Sequence, residues 1–122
     1  MNDRDRVIIE KILGYCDEVK QTHEFFKNDK ETFNSEEGFV YRNSITMPIL
    51  QIGELTKNLS EEFRTEHSAI PWKSIAGMRD VFAHHYGSID YEMVWNTSVK
   101  DLADLESFCN NIIKSSKKSH RL

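Results

Sequence analysis

A chain of 122 residues, 39% apolar and 30% charged, has the size and composition of one ordinary globular domain, long enough to bury a core without metal or disulfide staples. Its 16 basic and 20 acidic residues leave a net charge of −4, which excludes a broad nucleic-acid binder resting on many phosphate contacts but leaves room for a small local site. Charges from Asp3 to Lys11 break the first twenty residues, so no secretory leader is expected there, and nothing later approaches the roughly 20 apolar residues of a membrane span; the expected compartment is the cytosol.

Taken in chain order, Ile8, Ile9, Ile12, Cys16 and Val19 recur at steps of three and four and predict a first amphipathic helix from Asp3 to about Thr22. The polar stretch from Glu24 to Ser35 interrupts that pattern. Asn34 followed by Glu37 reads as a capping box, so a second helix is expected to start near Ser35 and run towards Asn58, with Phe39, Ile45, Ile49, Ile52, Leu55 and Leu59 on one side. Pro48 lies in its middle and cannot donate a backbone bond, which predicts a kink or two abutting helices.

Ser60 before Glu61 and Glu62 predicts the capped start of a short third helix. Ile70-Pro71-Trp72 opens the next, since proline suits a first turn, and that helix should end by Gly87. Asp90 is the expected cap of a long last helix with Trp95, Val99, Leu102, Leu105, Cys109 and Ile112 as its apolar stripe. Strand patterns are nearly absent, so the expected architecture is all-α, one helical bundle over residues 1–122 with a basic tail from about 114 to 122. Cys16 and Cys109 fall on apolar positions and read as small core hydrophobes. The tail, KSSKKSHR, reads as a solvated end or as an auxiliary phosphate contact.

The chemistry concentrates in residues 77–90, GMRDVFAHHYGSID. On a helix Ile75, Met78, Val81 and Phe82 cluster on one side and should face the core, while Arg79, Ala83, Ala76, Asp80, His84 and Gly77 pass round the other. Charged groups and a histidine are there interleaved with the smallest side chains, which lets a partner helix or substrate approach closely. Arg79 and His84 stand about 140° apart. Arginine supplies a permanently charged fork for phosphate and histidine a proton carrier near neutral pH, so the pair points to phosphoryl chemistry. The plain structural alternatives are an Arg79–Asp80 ion pair and a histidine that complements a helix dipole. A metal site at His84 and His85 is not expected, because neighbours on a helix diverge by about 100° and no third ligand stands at a suitable spacing.

Arg79, the polar Asp80, His84 and Tyr86 reproduce R-x-x-x-x-H-x-Y, and with it the chain resembles HepT-like proteins, toxins of the HEPN superfamily. Gln51-Ile52-Gly53-Glu54, Ile70-Pro71-Trp72, Ile75-Ala76-Gly77-Met78, Ile89-Asp90 and Val94-Trp95 match further landmarks, so the resemblance covers about residues 49–95. It implies a four- to five-helix bundle of HEPN type that dimerises and brings two Arg79 and His84 pairs into one cleft. The implied activity is that of a metal-independent endoribonuclease, needing no cofactor, in which the 2′-hydroxyl of RNA attacks the neighbouring phosphate. By the same resemblance His84 is the general base or acid, Arg79 holds the phosphate and Asp80 orients one of them. An MntA-like nucleotidyltransferase antitoxin is the implied partner, with Tyr86 as the acceptor of AMP. His85 sits beside the presumed catalytic imidazole and is able to share its role, and Glu54 is a candidate partner for Arg79. Two other readings stay open: a catalytically silent HEPN module that binds a nucleotide or the partner protein, and a purely structural dimerising bundle.

Overall fold

A computed structural model describes the backbone at residues 1–84 and 89–120, and the side chains at residues 1–78 and 89–116. Among the described residues there is no strand. The helices are α1 (Asp3–Phe25), α2 (Lys30–Asn34), a 3-10 turn (Glu36–Gly38), α3 (Phe39–Lys57), α4 (Glu61–Glu66), α5 (Trp72–His84), α6 (Tyr91–Asn96), a π turn (Thr97–Asp101) and α7 (Leu102–His120). The all-α bundle expected from the sequence is therefore present. α3 packs against α1 on one side and α5 on the other, and α7 packs along α1. The core is built from Ile9, Ile12, Cys16 and Val19 of α1, Tyr41, Ile45, Ile49 and Ile52 of α3, and Leu102, Leu105 and Cys109 of α7. No helix among the described residues is long and apolar enough to cross a membrane.

α1 starts as the pattern predicts, with Asn2 accepting from the Asp5 amide, and runs one turn past Thr22. It brings a buried carboxylate with it: Asp5 accepts from both the amide (2.9 Å) and the hydroxyl (2.6 Å) of Ser60. Ser60 in turn accepts from the Phe63 amide, so the predicted cap of α4 is present and is tied to the start of α1.

The capping box at Asn34 and Glu37 is not formed. Asp29 is the cap instead, accepting from the Glu31 and Thr32 amides to start α2 inside the stretch read as a polar interruption, and Asn34 is the last residue of that helix. Lys27 and Asn28, both with left-handed φ (58° and 54°), turn the chain before it. A helix cannot run on from Ser35 because the chain folds tightly at Gly38. A Cβ there would collide with the Thr32 carbonyl oxygen, so only glycine fits. Arg42 closes the corner by donating to the carbonyls of Phe33 (2.7 Å) and Ser35 (2.6 Å). α3 accordingly begins at Phe39, which is exposed and does not join the core stripe. From there α3 is one helix through the buried Pro48, with the Thr46 hydroxyl donating to the Arg42 carbonyl one turn earlier.

The predicted long last helix is two α-helices joined by the π turn. Asp90 caps it as expected, accepting from the Glu92 and Met93 amides. A wider turn carries one more residue than an α turn and rotates the helix beyond it. Thr97 and Ser98 thereby come inward and are buried, while Val99, expected in the apolar stripe, is 39% exposed.

Candidate active site

The element that carries the motif is anchored at its start and ends at the motif itself. Pro71 precedes α5 and its carbonyl accepts from the Ile75 amide. The Trp72 indole donates to the His67 carbonyl (3.0 Å) and stacks edge-on against Phe108 of α7, with Phe63 close by. Burial of Trp72 and Ile75 fixes which side of α5 faces the core, as the sequence predicts, and Met78 packs against the core part-exposed. Val81 and Phe82, expected on the same face, have side chains outside the described residues.

Arg79, Asp80 and His84 lie in the last two turns of α5, with His84 its final residue; their side chains are outside the described residues. At 1.5 Å rise per residue the Arg79 and His84 backbones are about 7.5 Å apart along the axis. His85 and Tyr86 lie outside the described residues altogether. The chain is described again at Ile89, which packs against the core, and at Asp90, which starts α6. The motif thus occupies the junction where α5 ends and α6 begins.

Both flanks of this junction are held firmly. On the α6 side, the Arg42 guanidinium lies over the Tyr91 ring (5.4 Å to its centroid), and Lys30 pairs with Glu92 at 2.7 Å while also approaching the Trp95 ring. The tight corner around Gly38 therefore straps onto the helix after the motif. On the other side stands α3, which packs against α5 and carries Glu54 at an exposed position.

Between α5 and the α6–π–α7 rod runs an open groove of about 630 Å³. Ile70, Ile75 and Met78 line one wall, and Met93, Thr97 and Leu105 the other, with Asp101 and Asp104 among its lining residues. Gly77 opens onto the same groove, and a Cβ added there would meet nothing within 4 Å. A glycine inside a helix costs about 0.5–1 kcal/mol relative to alanine, and no packing within the described chain requires it. The groove was not legible in the sequence, because it depends on the rotation the π turn introduces at Thr97.

A second polar constellation, which the sequence pattern does not mark, lies at the other face of the rod. The Ser98 hydroxyl donates to the Trp95 carbonyl (2.7 Å), so it accepts from His23 Nε2 (2.8 Å), and His23 Nδ1 accepts from the buried Tyr41 hydroxyl (2.6 Å). Each group is satisfied by the others, and burial pushes the His23 pKa down. Burial likewise pushes the Cys16 and Cys109 thiols up to about 12, the role of small core hydrophobes expected of them. Among the described residues no group of three or more His, Cys, Asp or Glu side chains is placed to hold a metal.

Comparison with known proteins bears on the family of the whole chain. A family model described as "Ribonuclease HepT-like" matches residues 12–112. A "Putative RNase" of Caldanaerobacter subterraneus subsp. tengcongensis is 46% identical over 66 residues, 54% of this chain and 59% of that protein. A "Putative RNase" of Methanocaldococcus jannaschii is 31% identical over 116 residues, covering 93% of this chain and 96% of that protein. A "Probable ribonuclease HepT" of Thermococcus cleftensis is 38% identical over 55 residues, 45% of this chain and 50% of that protein. No solved structure gives a significant match. With most of its length matched by the family model and by a relative of nearly the same extent, the chain belongs to the HepT-like ribonuclease family.

Proposed function

We propose that this protein is a metal-independent endoribonuclease, the toxin of a toxin–antitoxin pair acting in the cytosol, with Arg79 and His84 as its catalytic residues. The observation that carries the reading is that Arg79 and His84 of the sequence motif fall in the last two turns of α5 in a chain of the HepT-like family. In this reading two copies of the single domain meet so that both motifs face one cleft. The apolar groove beside α5, with the unfilled space over Gly77, supports a close approach by a second copy.

The chemistry needs only side chains. A base takes the proton from an RNA 2′-hydroxyl, whose oxygen attacks the adjacent phosphorus, and the 5′-oxygen leaves with a proton from an acid, giving a 2′,3′-cyclic phosphate and a free 5′-hydroxyl. Two His84 imidazoles, one per copy, supply base and acid, and Arg79 stabilises the extra negative charge of the pentacoordinate phosphorus. Asp80 orients one of these groups, Glu54 pairs with Arg79, and His85 is a second imidazole within reach of the same proton transfer. A nucleotidyltransferase antitoxin silences the site by adding AMP to Tyr86, a bulky anion at the mouth of the cleft.

The test is cleavage of end-labelled RNA in excess chelator by wild type and the His84→Ala variant. Cleavage by wild type with cyclic-phosphate ends, reduced at least about 100-fold in the variant, is expected. Equal cleavage by both would remove His84 from the mechanism, and none by either would leave a partner-binding module.

A further inference from the structure

Charge is distributed very unevenly along the chain. Residues 114–122 contain Lys114, Lys117, Lys118 and Arg121 and no acidic residue, a charge of +4, while residues 1–113 hold twelve basic against twenty acidic residues, a charge of −8. α7 is helical through His120, so the positions of Lys114, Lys117 and Lys118 share an arc of about 100° by helical register. Lys114 is exposed, in a row with the exposed, uncharged Ser107, Asn110 and Asn111.

This basic arc is remote from the motif. Phe108 stacks against Trp72 at the start of α5, whereas His84 at its end is joined by four residues to Ile89, so α5 and the α6–α7 rod run in opposite directions. Counting from that contact, Arg79 and His84 lie some way along α5 and Lys114–Lys118 some way along α7 in the opposite sense. The separation is roughly 20–30 Å.

We propose that the end of α7 is a second RNA contact, a phosphate-binding surface that holds an unpaired strand at the pole opposite the cleavage site. The RNA identity of the ligand rests on the ribonuclease reading above. Lysines on a helical arc are compact point charges suited to successive phosphates, and the row they extend offers no apolar anchor of the kind that dominates protein–protein contacts. Against a net charge of −8 over residues 1–113, this run of four basic residues with no acid among them is a local attractor for a polyanion. Spanning the motif and this arc takes a strand of several nucleotides, within the roughly 4–16 that single-strand binding surfaces cover.

The experiment is a salt titration of binding to a fluorescent 2′-O-methyl 16-mer, which no 2′-hydroxyl mechanism can cleave, by the full chain, by K114Q/K117Q/K118Q and by K114R/K117R/K118R. Removing three phosphate contacts should make the slope of log affinity against log salt shallower by about 2 and weaken binding at low salt about tenfold or more, while the arginine variant keeps both. A glutamine variant that binds like wild type, or an arginine variant as weak as the glutamine one, would overturn the proposal. So would binding of poly-glutamate in place of RNA, which reassigns the surface to an acidic protein. Cleavage of an RNA dinucleotide, too short to reach α7, reports separately on the motif. It should be equal in wild type and the glutamine variant, and its absence in both would sink the ribonuclease reading without touching the binding result.

Discussion

His23 shows how a single side chain sets conditions for the fold. It joins α1 to α3 through Tyr41 and to the π turn through Ser98, and its ring packs edge-on against Trp95. Burial lowers its pKa from the ordinary 6.5, so below that pH the unfolded chain takes up a proton that the folded chain resists. The unfolded state then binds more protons, and stability falls as pH drops from about 6.5 towards the folded pKa, by at most about 1.4 kcal/mol per pH unit from this group. Urea melts at pH 7.5 and 5.5 should show a larger loss for wild type than for His23→Gln, and an identical pH dependence in the two would contradict the assignment. A His23→Leu variant should cost about 1–3 kcal/mol at pH 7.5, because the Tyr41 hydroxyl loses its acceptor in a buried place. Sequence alone does not single out His23: its position on the apolar side of α1 is visible, but its partners come from residues 18 and 75 positions away.

At the scale of elements, the regular parts were legible and the joints were not. α1, α4, α5 and the cap at Asp90 follow from periodicity and from side chains that bond their own local amides, information contained in a few consecutive residues. The corner at Gly38 and the π turn at Thr97 depend on atoms distant in sequence. Arg42 reaches back to the carbonyls of Phe33 and Ser35, and Ser98 turns inward to His23, so the capping box at Asn34 and a core role for Val99 fail for tertiary reasons. The motif residues were readable as a pattern on a helix because Arg79 and His84 lie within thirteen residues of α5, whereas the groove beside them needs two elements and the π turn. Gly77 gives this scale its prediction. Replacing it with alanine adds a Cβ into open space, so thermal melts should show a gain of about 0.5–1 kcal/mol in the folding stability of the isolated domain. If a second copy packs over that turn, RNA cleavage by Gly77→Ala should fall even as stability rises; a variant both more stable and fully active would mean that nothing approaches Gly77 closely.

Across the whole molecule, most of the ring-to-ring contacts among the described residues fall in two groups that brace opposite ends of the rod. Phe33, Tyr41, Tyr91 and Trp95 gather around α6, and Phe63, Trp72 and Phe108 around the start of α5. The first group braces α6 and the second pins the start of α5, so α5 is fixed at its beginning while Arg42 and Lys30 strap the helix that follows it. Such a layout holds the backbone of α5 in one direction without filling the space over its small residues, which suits a surface meant to be completed by something outside the chain.

The seam between α1 and α7 carries one more implication. Cys16 and Cys109, almost fully buried on these two helices, are held as thiols with pKa values near 12 by the apolar surroundings and by Glu106 nearby. A thiol in that state ignores alkylating and disulfide reagents until its cover lifts. The pair is therefore a ready-made chemical clock for the breathing of the bundle. With a thiol-specific dye at neutral pH, both cysteines should stay silent in the native protein and label only as fast as the helices part, tracking added urea. Immediate labelling of either in native buffer would show that the seam stands open.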